Sequence, residues 1–333
     1  MSRVCSRRHV FGLAAAAAGA LAMPHIARAA VRTLRLGHGN PDDGSFGAGS
    51  RALAAAVAAD PVLSGVIQID VYGKGTLGDE LTLLKNCIAG TIDLALCSNV
   101  VTGNLVKEVD LLYAPYLFAN ARAARAVLDG PIGAELSTAL KAQGLNLLAW
   151  GENGMRHVGA GHPVRALADL QGSKIRVPQS AMMLAGLKAL GADPAPLPFN
   201  LLREAFRTGQ FQALENTTSS FKASKLYEFA NHLSLTGHCY DSTVFVASND
   251  VMEDLTPAQT QALLACAAKG AEVTRHETAV ADDLGIKSLA GLGVTVVSDV
   301  DIPALRAAAQ PFLNSVAQRE KAAFAKKLIA AAS

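Results

Sequence analysis

Apolar and polar positions in this chain alternate between short β-branched runs and longer helical stretches. Leu34 to His38 reads as a strand closed by the turn cluster Gly39-Asn40-Pro41-Asp42-Asp43-Gly44. Ser50 to Ala59 follows as an alanine-rich helix that stops at Asp60-Pro61. Val66 to Tyr72 alternates with period two, the mark of a half-buried strand. Asp79 and Glu80 open the next helix, where the positive end of the helix dipole favours carboxylates, and it runs to about Ile88 before Gly90. Ile92 to Cys97 is a buried strand with Ser98 and Asn99 at its C-terminal end. A β-α-β-α-β order predicts parallel pairing with helices on both faces, and such sheets bind ligands beyond the C-terminal ends of their strands.

Aromatic residues are densest over Asp110 to Ala119, a run apolar enough to pack beneath a helix. Helices are expected near 121–128 and 131–143, then a strand from Leu145 to Trp150. Gly151, Gly154, Gly159 and Gly161 punctuate the next, extended segment, which reads as a crossover into a second domain. There the alternation resumes: strand 174–177, helix 180–190, strand 195–199, helix 200–208, strand 211–215 and helix 218–229. Leu233 to Tyr240 and Thr243 to Ala247 form a long extended return to the first domain. Thr256-Pro257 supplies an N-cap and a first-turn proline for a long helix to about 283. A last strand, 294–297, and helix over 303–331 complete the chain. The pattern predicts an α/β fold of two lobes, each a central β-sheet flanked by helices, joined by several crossing segments and a long helix. The lobes are placed at 30–153 plus about 243–282, and at 154–242 plus about 283–333. Several crossings make a clamshell, whose natural motion is closure around a ligand.

The first 29 residues belong to a different category. Arg3, Arg7 and Arg8 precede a thirteen-residue apolar stretch, Phe11 to Met23, and Ala27-Arg28-Ala29 has the small-x-small form of a cleavage site. The apolar stretch is too short to span a bilayer. A cleaved signal peptide is expected, with a twin-arginine flavour in Ser6-Arg7-Arg8-His9-Val10-Phe11, although Val10 departs from that motif and leaves the general secretory route open. The expected product is an exported, soluble, periplasmic protein. Without the leader's four arginines, 26 basic residues face 28 acidic ones, net −2. Such a balance argues against a nucleic-acid partner. At 333 residues, half of them apolar, the chain is long enough for two cores. Cys87, Cys97, Cys239 and Cys266 lie in apolar runs without CxxC spacing, so buried free thiols are expected, with a disulfide left open.

Candidate chemistry gathers around three points. Arg176 sits in the short strand Lys174-Ile175-Arg176-Val177 before Pro178, Arg156 lies twenty residues upstream in Gly154-Met155-Arg156-His157, and Glu215-Asn216 lies forty residues downstream. A guanidinium is a planar, permanently charged donor fork that matches a carboxylate and desolvates more easily than an ammonium. Three such points meeting in a cleft would hold the carboxylate of a small organic acid. His157, His162 and His238 are isolated, with no i,i+4 pair, so no metal site is expected. GxSxG, CxxC and HExxH are all missing, which disfavours an exported hydrolase or lyase.

Taken together, Gly-Met-Arg-His at 154–157, Asp-Leu-Gln-Gly-Ser-Lys-Ile-Arg-Val-Pro at 169–178 and Gly-Ala-Asp-Pro-Ala-Pro-Leu at 191–197 resemble the DctP-like periplasmic solute-binding subunits of TRAP transporters. Leu77-Gly78-Asp79-Glu80 and Leu214-Glu215-Asn216 match two further motifs of that family in order and spacing. The resemblance implies a two-lobed periplasmic binding protein without catalytic residues or cofactor, a monomer that passes its ligand to TRAP membrane subunits. It also implies that Arg176 contacts the ligand carboxylate through two prongs, and that Arg156 and Asn216 assist while Phe199 lines the pocket. Glu80, Ser98 and Asn99 are the first-lobe candidates, with His38 and Asn40 in the first turn. Trp150, which could equally be core, and Tyr240 complete the set. Two departures stand out. Leu214 and Thr217 replace a glutamine and a proline of the family pattern, and Gly39 stands where sialic-acid binders carry an asparagine, which argues against that ligand. C4-dicarboxylates, sugar acids and 2-oxo or 2-hydroxy acids all fit the anchor. A periplasmic sensor would share the same pocket and differ only in its partner.

Overall fold

Two sets of parallel strands and a pair of long antiparallel strands between them make the framework. A computed structural model describes residues 31–318 and 321–332, so the expected leader lies outside the described residues. In the first set β1 (Arg32–His38) pairs in parallel with β2 (Ile67–Tyr72) and β3 (Leu94–Ser98). Helix α1 (Ser45–Ala59) joins β1 to β2, and α2 (Glu80–Ile88) joins β2 to β3. Helices α3 (Ala121–Leu128) and α4 (Pro131–Ala142) follow, then the fifteen-residue strand β4 (Asn146–Ala160). In the second set β5 (Lys174–Val177), flanked by α5 (Ala181–Ala189), pairs in parallel with β6 (Asp193–Pro196) and β7 (Ala213–Thr217). After the short helix α6 (Thr218–Ala223), β8 (His232–Ala247) returns through the middle. Helix α7 (Pro257–Val280), β9 (Thr295–Val297), α8 (Ile302–Val316) and α9 (Ala322–Ala332) close the chain.

The expected sheet of each lobe is present as a parallel set, but the two are not separate. β3 pairs antiparallel with β8, β8 with β4, and β4 with β7, giving the order β2-β1-β3-β8-β4-β7-β5-β6 in one nine-stranded sheet, with β9 alongside β8. The glycine-punctuated segment expected as a crossover is the second half of β4. Its ladder with β8 slips at Leu147/Ala149, Glu152/Gly154 and Arg156/Val158. Such bulges bend a strand and re-aim side chains. The last two fall where the strands pass between the parallel sets, beside Asn153, Arg156 and Asp241.

Four apolar clusters fill the layers. α1 and α7 cover one face of the first set through Phe46, Leu53, Leu263 and Cys266. Leu83, Tyr113, Leu136 and Trp150 pack on the other. In the second set, Ile175, Val177, Leu187 and Leu305 form one cluster, and Leu214, Phe221, Leu226 and Leu289 another. Each such side chain withdrawn from water contributes about 1.5–3 kcal/mol before conformational entropy is subtracted. Helix α9, expected with the second lobe, instead buries Phe324, Ala325 and Leu328 against the cluster that contains Leu128, Ile132 and Leu136 of α3 and α4. The aromatic run 110–119 places Tyr113, Leu117 and Phe118 in that cluster too, as the sequence predicts. All four described cysteines are buried and free.

Helix α7 starts as its sequence dictates. Thr256 Oγ1 accepts from the Gln259 amide at 3.3 Å, and Gln259 Oε1 accepts from the Thr256 amide at 2.9 Å, a reciprocal cap ahead of Pro257. Gly49 and Gly270 let α7 lie close on α1, since a Cβ on Gly270 would stand 2.9 Å from the Gly49 carbonyl oxygen. At its far end the helix passes into a single wide turn over Ala281–Gly285.

Candidate ligand-binding site

A cleft opens where β3, β5 and β7 end and α2 begins, the position that sheet topology favours for a ligand. It is lined by Glu80 from α2, Ser98 from β3, Arg156 from β4, Arg176 from β5 and Asn216 from β7. Phe199 and Asn200 of the segment after β6, and Asn40 after β1, complete much of its wall.

Arg176 is 2% exposed, its strand held between Ala195 of β6 and Leu214 of β7. Its Nε and Nη2 both donate to the Leu197 carbonyl, at 2.9 and 2.6 Å, and its guanidinium carbon lies 5.9 Å from the centre of the Phe199 ring. No carboxylate among the described residues forms an ion pair with it. Burial therefore dominates and lowers its pKa to about 10, with attraction from Glu215 and Glu80 opposing. The group stays cationic at neutral pH, and its remaining donors have no partner among the described residues. Asn216 stands close by in the wall. Its Oδ1 accepts from the Thr217 amide at 2.9 Å, which leaves the side-chain NH2 for the cleft.

Arg156 is placed differently. Its Nε and Nη2 grip the Glu215 carboxylate, Nη2 also reaches the Glu215 carbonyl at 3.2 Å, and Nη1 donates to Asp241 Oδ2 at 2.6 Å. Burial opposes its charge, but the two carboxylates outweigh that and raise its pKa. Four of its five donors are used inside the protein, so one N–H is left for anything in the cleft. Asp241 is the node of this network. Its Oδ1 accepts from Ser98 Oγ at 2.7 Å and Tyr113 OH at 2.9 Å, and its Oδ2 accepts from Asn153 Nδ2 at 2.7 Å as well as from Arg156. One carboxylate thus ties β3, β4 and β8 together behind the cleft.

Glu80 is the first residue of α2, after the N-cap Asp79. Oε1 accepts from the Ser98 amide at 3.1 Å, and Asn40 Nδ2 lies 3.4 Å from the same oxygen. The side chain keeps some accessible surface and lines the cleft. The surrounding protein desolvates its carboxylate and raises its pKa to about 7; the Ser98 amide, Arg156 and Arg176 resist the shift, and Asp241 adds to it.

Six of the nine expected contact residues, Arg176, Arg156, Asn216, Phe199, Glu80 and Ser98, line one cleft, and Asn40 joins them. Three do not. Asn99 is fully buried and donates to Ser242 Oγ at 2.7 Å. Tyr240 packs edge-on to Phe118 and donates from its hydroxyl to Glu152 at 2.8 Å, so both ends of the ring are occupied away from the cleft. Trp150 belongs to the apolar cluster beside them, the core alternative for this residue. His38 is buried against Phe46. The sequence reading missed Asp241 and Asn153. A lone aspartate inside the long apolar run 239–247 was the available signal, since an acid there must be paired. Among the described residues no group of three or more His, Cys, Asp or Glu is arranged to hold a metal ion, and no helix is long and apolar enough to cross a membrane.

The model of the bacterial extracellular solute-binding proteins, family 7 (DctP), matches residues 37–320. The chain belongs to that family. That family is one of solute-binding proteins and not an enzyme family. The "2,3-diketo-L-gulonate-binding periplasmic protein YiaO" of Escherichia coli is 32% identical over 238 residues, 71% of this chain and 73% of that one. Among solved structures, the TRAP periplasmic solute-binding protein from Polaromonas sp. JS666 bound to D-erythronate has a TM-score of 0.86 at 30% identity, covering 90% of this chain and 98% of that one. The sugar acid binding protein DctPAm from Advenella mimigardefordensis in complex with galactonate also has a TM-score of 0.86 at 30% identity, covering 91% of this chain and 98% of that one. The two-lobed α/β architecture is that of TRAP solute-binding proteins, as the motifs predict.

Proposed function

We propose that this protein captures a small organic acid in the periplasm, holding its carboxylate on Arg176, and delivers it to the membrane subunits of a TRAP transporter. The observation that carries the reading is a buried guanidinium on the cleft wall with no acidic partner among the described residues. Such a group is costly until an anion completes it. In this reading Asn216 donates its amide to the same carboxylate. Arg156, neutralised by Glu215 and Asp241, holds the wall and lends at most one further hydrogen bond. The lobes close over the ligand by flexing where β4, β8 and α7 pass between them, and the closed form docks on the transporter. Acids carried by relatives, D-erythronate and galactonate among them, set the starting panel.

The test is calorimetric. A thermal-shift screen of small acids identifies a ligand, because ligand bound to the native state raises the melting temperature. Arg176→Ala should then lose at least about 100-fold in affinity, two charge-assisted hydrogen bonds at roughly 1.5–3 kcal/mol each, while its circular dichroism matches wild type. Unchanged affinity in the folded variant overturns the assignment.

A further inference from the structure

Two side chains outside the cleft tie its two sides together. After β3 the chain runs through Val100 and Val101, which line the cleft. After β5 it runs through Pro178 and Gln179, which line it from the other side. Asn104 Nδ2 donates to the Gln179 carbonyl and, at 2.9 Å, to the Val101 carbonyl. Asp110 reaches one step further. Its Oδ1 accepts from Ser180 Oγ at 2.6 Å, and its Oδ2 from the Met182 amide at 3.0 Å. Neither Asn104 nor Asp110 lines the cleft itself.

The bonds to Asp110 complete the start of α5. Ser180 Oγ caps the Met183 amide at 3.1 Å, which leaves the Met182 amide to a partner from outside the helix. A carboxylate suits that place, because the N-terminal end of a helix carries partial positive charge. Gly103 sets where the carboxylate stands: a Cβ there would lie 2.7 Å from Asp110 Cβ and 2.8 Å from its Cα. Behind these bonds Tyr113 and Met183 belong to one apolar cluster, so the two sides also adjoin through apolar packing. That packing is non-directional, whereas hydrogen bonds weaken steeply once misaligned. The polar contacts therefore single out one disposition of the two sides.

We infer that Asp110 and Asn104 are positioning residues for the ligand: they latch the segment after Arg176 to the opposite side of the cleft, and the latch engages as the lobes close. The inference rests on Arg176 as the carboxylate anchor and on closure around the acid. Arg176 lies three residues before Gln179, so the latch holds the exit of the strand that carries the anchor. In the open form the Asp110 carboxylate and the α5 amide return to water. In the closed form their hydrogen bonds add to affinity without touching the ligand, by raising the share of protein that can hold it.

D-erythronate is the probe, with D-galactonate beside it. A contact equally present with and without ligand cancels from affinity, and one made on closure does not. Asp110→Ala should weaken binding by roughly tenfold or more, the loss of two charge-assisted hydrogen bonds. Stopped-flow should show that loss as faster dissociation, because the latch forms after capture. Asp110→Asn, equal in size and with one acceptor oxygen left, should fall between Asp110→Ala and wild type. Asp110→Ala combined with Ser180→Ala should lose no more affinity than Asp110→Ala alone, since the second change removes a bond already broken. If Asp110→Ala folds, by circular dichroism, and binds the acid as wild type does, the latch is overturned while the Arg176 anchor stands. A loss confined to slower association overturns it equally. Should Asp110→Ala not fold, Asp110→Asn and Asn104→Ala decide by the same criterion. If neither acid binds folded wild type, the anchor falls and the latch falls with it.

Discussion

Glu80 and Glu215 are glutamates in neighbouring protein surroundings, and they titrate in opposite directions. Burial pushes both upward. Glu215 has the Arg156 guanidinium on its two oxygens and His238 Nε2 at 3.5 Å, and these bring it down to about 2. Glu80 has an amide hydrogen bond but no ion pair among the described residues, and stays near 7 against an ordinary 4.5. A carboxyl group raised in this way contributes its stability in full below pH 4.5 and loses it as pH rises through 7. The depressed Glu215 contributes above pH 4.5 and loses it only as pH falls through about 2. Between pH 5 and 8 the Glu80 contribution is the changing one of the pair. From Glu80 alone, unliganded protein should lose up to about 3 kcal/mol over that window, less to the extent that water in the cleft screens the charge. His157, held neutral by burial and lowered to about 3, works in the opposite direction. Urea unfolding at pH 5 and pH 8 checks this: Glu80→Gln should remove the Glu80 part of the difference, and an equal slope in both proteins would refute it. The partners themselves were beyond the sequence. Arg176 stood out as a guanidinium in a short strand, but Glu215 and Asp241 lie 59 and 85 residues from Arg156. Nothing local to Arg156 shows that its charge is already balanced.

Secondary-structure elements were legible where their own chemistry decides them. Thr256, Pro257 and Gln259 mark the start of α7, and the structure begins the helix there. β4 shows the opposite case. Its glycines weaken strand propensity and made the stretch after Trp150 read as a connection, yet pairing from β8 on one side and β7 on the other holds it extended to Ala160. The helix expected over 218–229 stops at Ala223, because Lys225 takes a left-handed conformation at φ 53° before a short 3-10 turn. Within β4, Gly154 is irreplaceable for two reasons. Its φ is +110°, and a Cβ would meet Thr278 Cγ2 of α7 at 2.7 Å. Gly154→Ala should therefore cost about 2 kcal/mol, from backbone strain together with the clash. Denaturant titration measures it, and a loss below about 0.5 kcal/mol would mean that the bulge accommodates the methyl group.

At the scale of the molecule, the two-lobed α/β class followed from strand–helix alternation and from the family motifs, whereas the single sheet did not. Strand pairing between distant segments leaves little trace in a pattern of apolar positions. β3 and β4 are consecutive strands in sequence, yet they are not neighbours in the sheet: β8 lies between them, with Leu94 opposite Ala247 and Asn146 opposite the same residue. The order of assembly follows from that. Until residues 232–247 are available, the amino-terminal strands have an open edge and no strand pairing joins the second parallel set to the first. Folding therefore waits on contacts spanning some 150 residues, which makes it slow. A fragment ending at residue 231 should show no cooperative unfolding transition, a result that calorimetry would reverse by finding one. For a chain that emerges from its amino terminus, more than two-thirds of it must be out before the piece that completes the scaffold arrives.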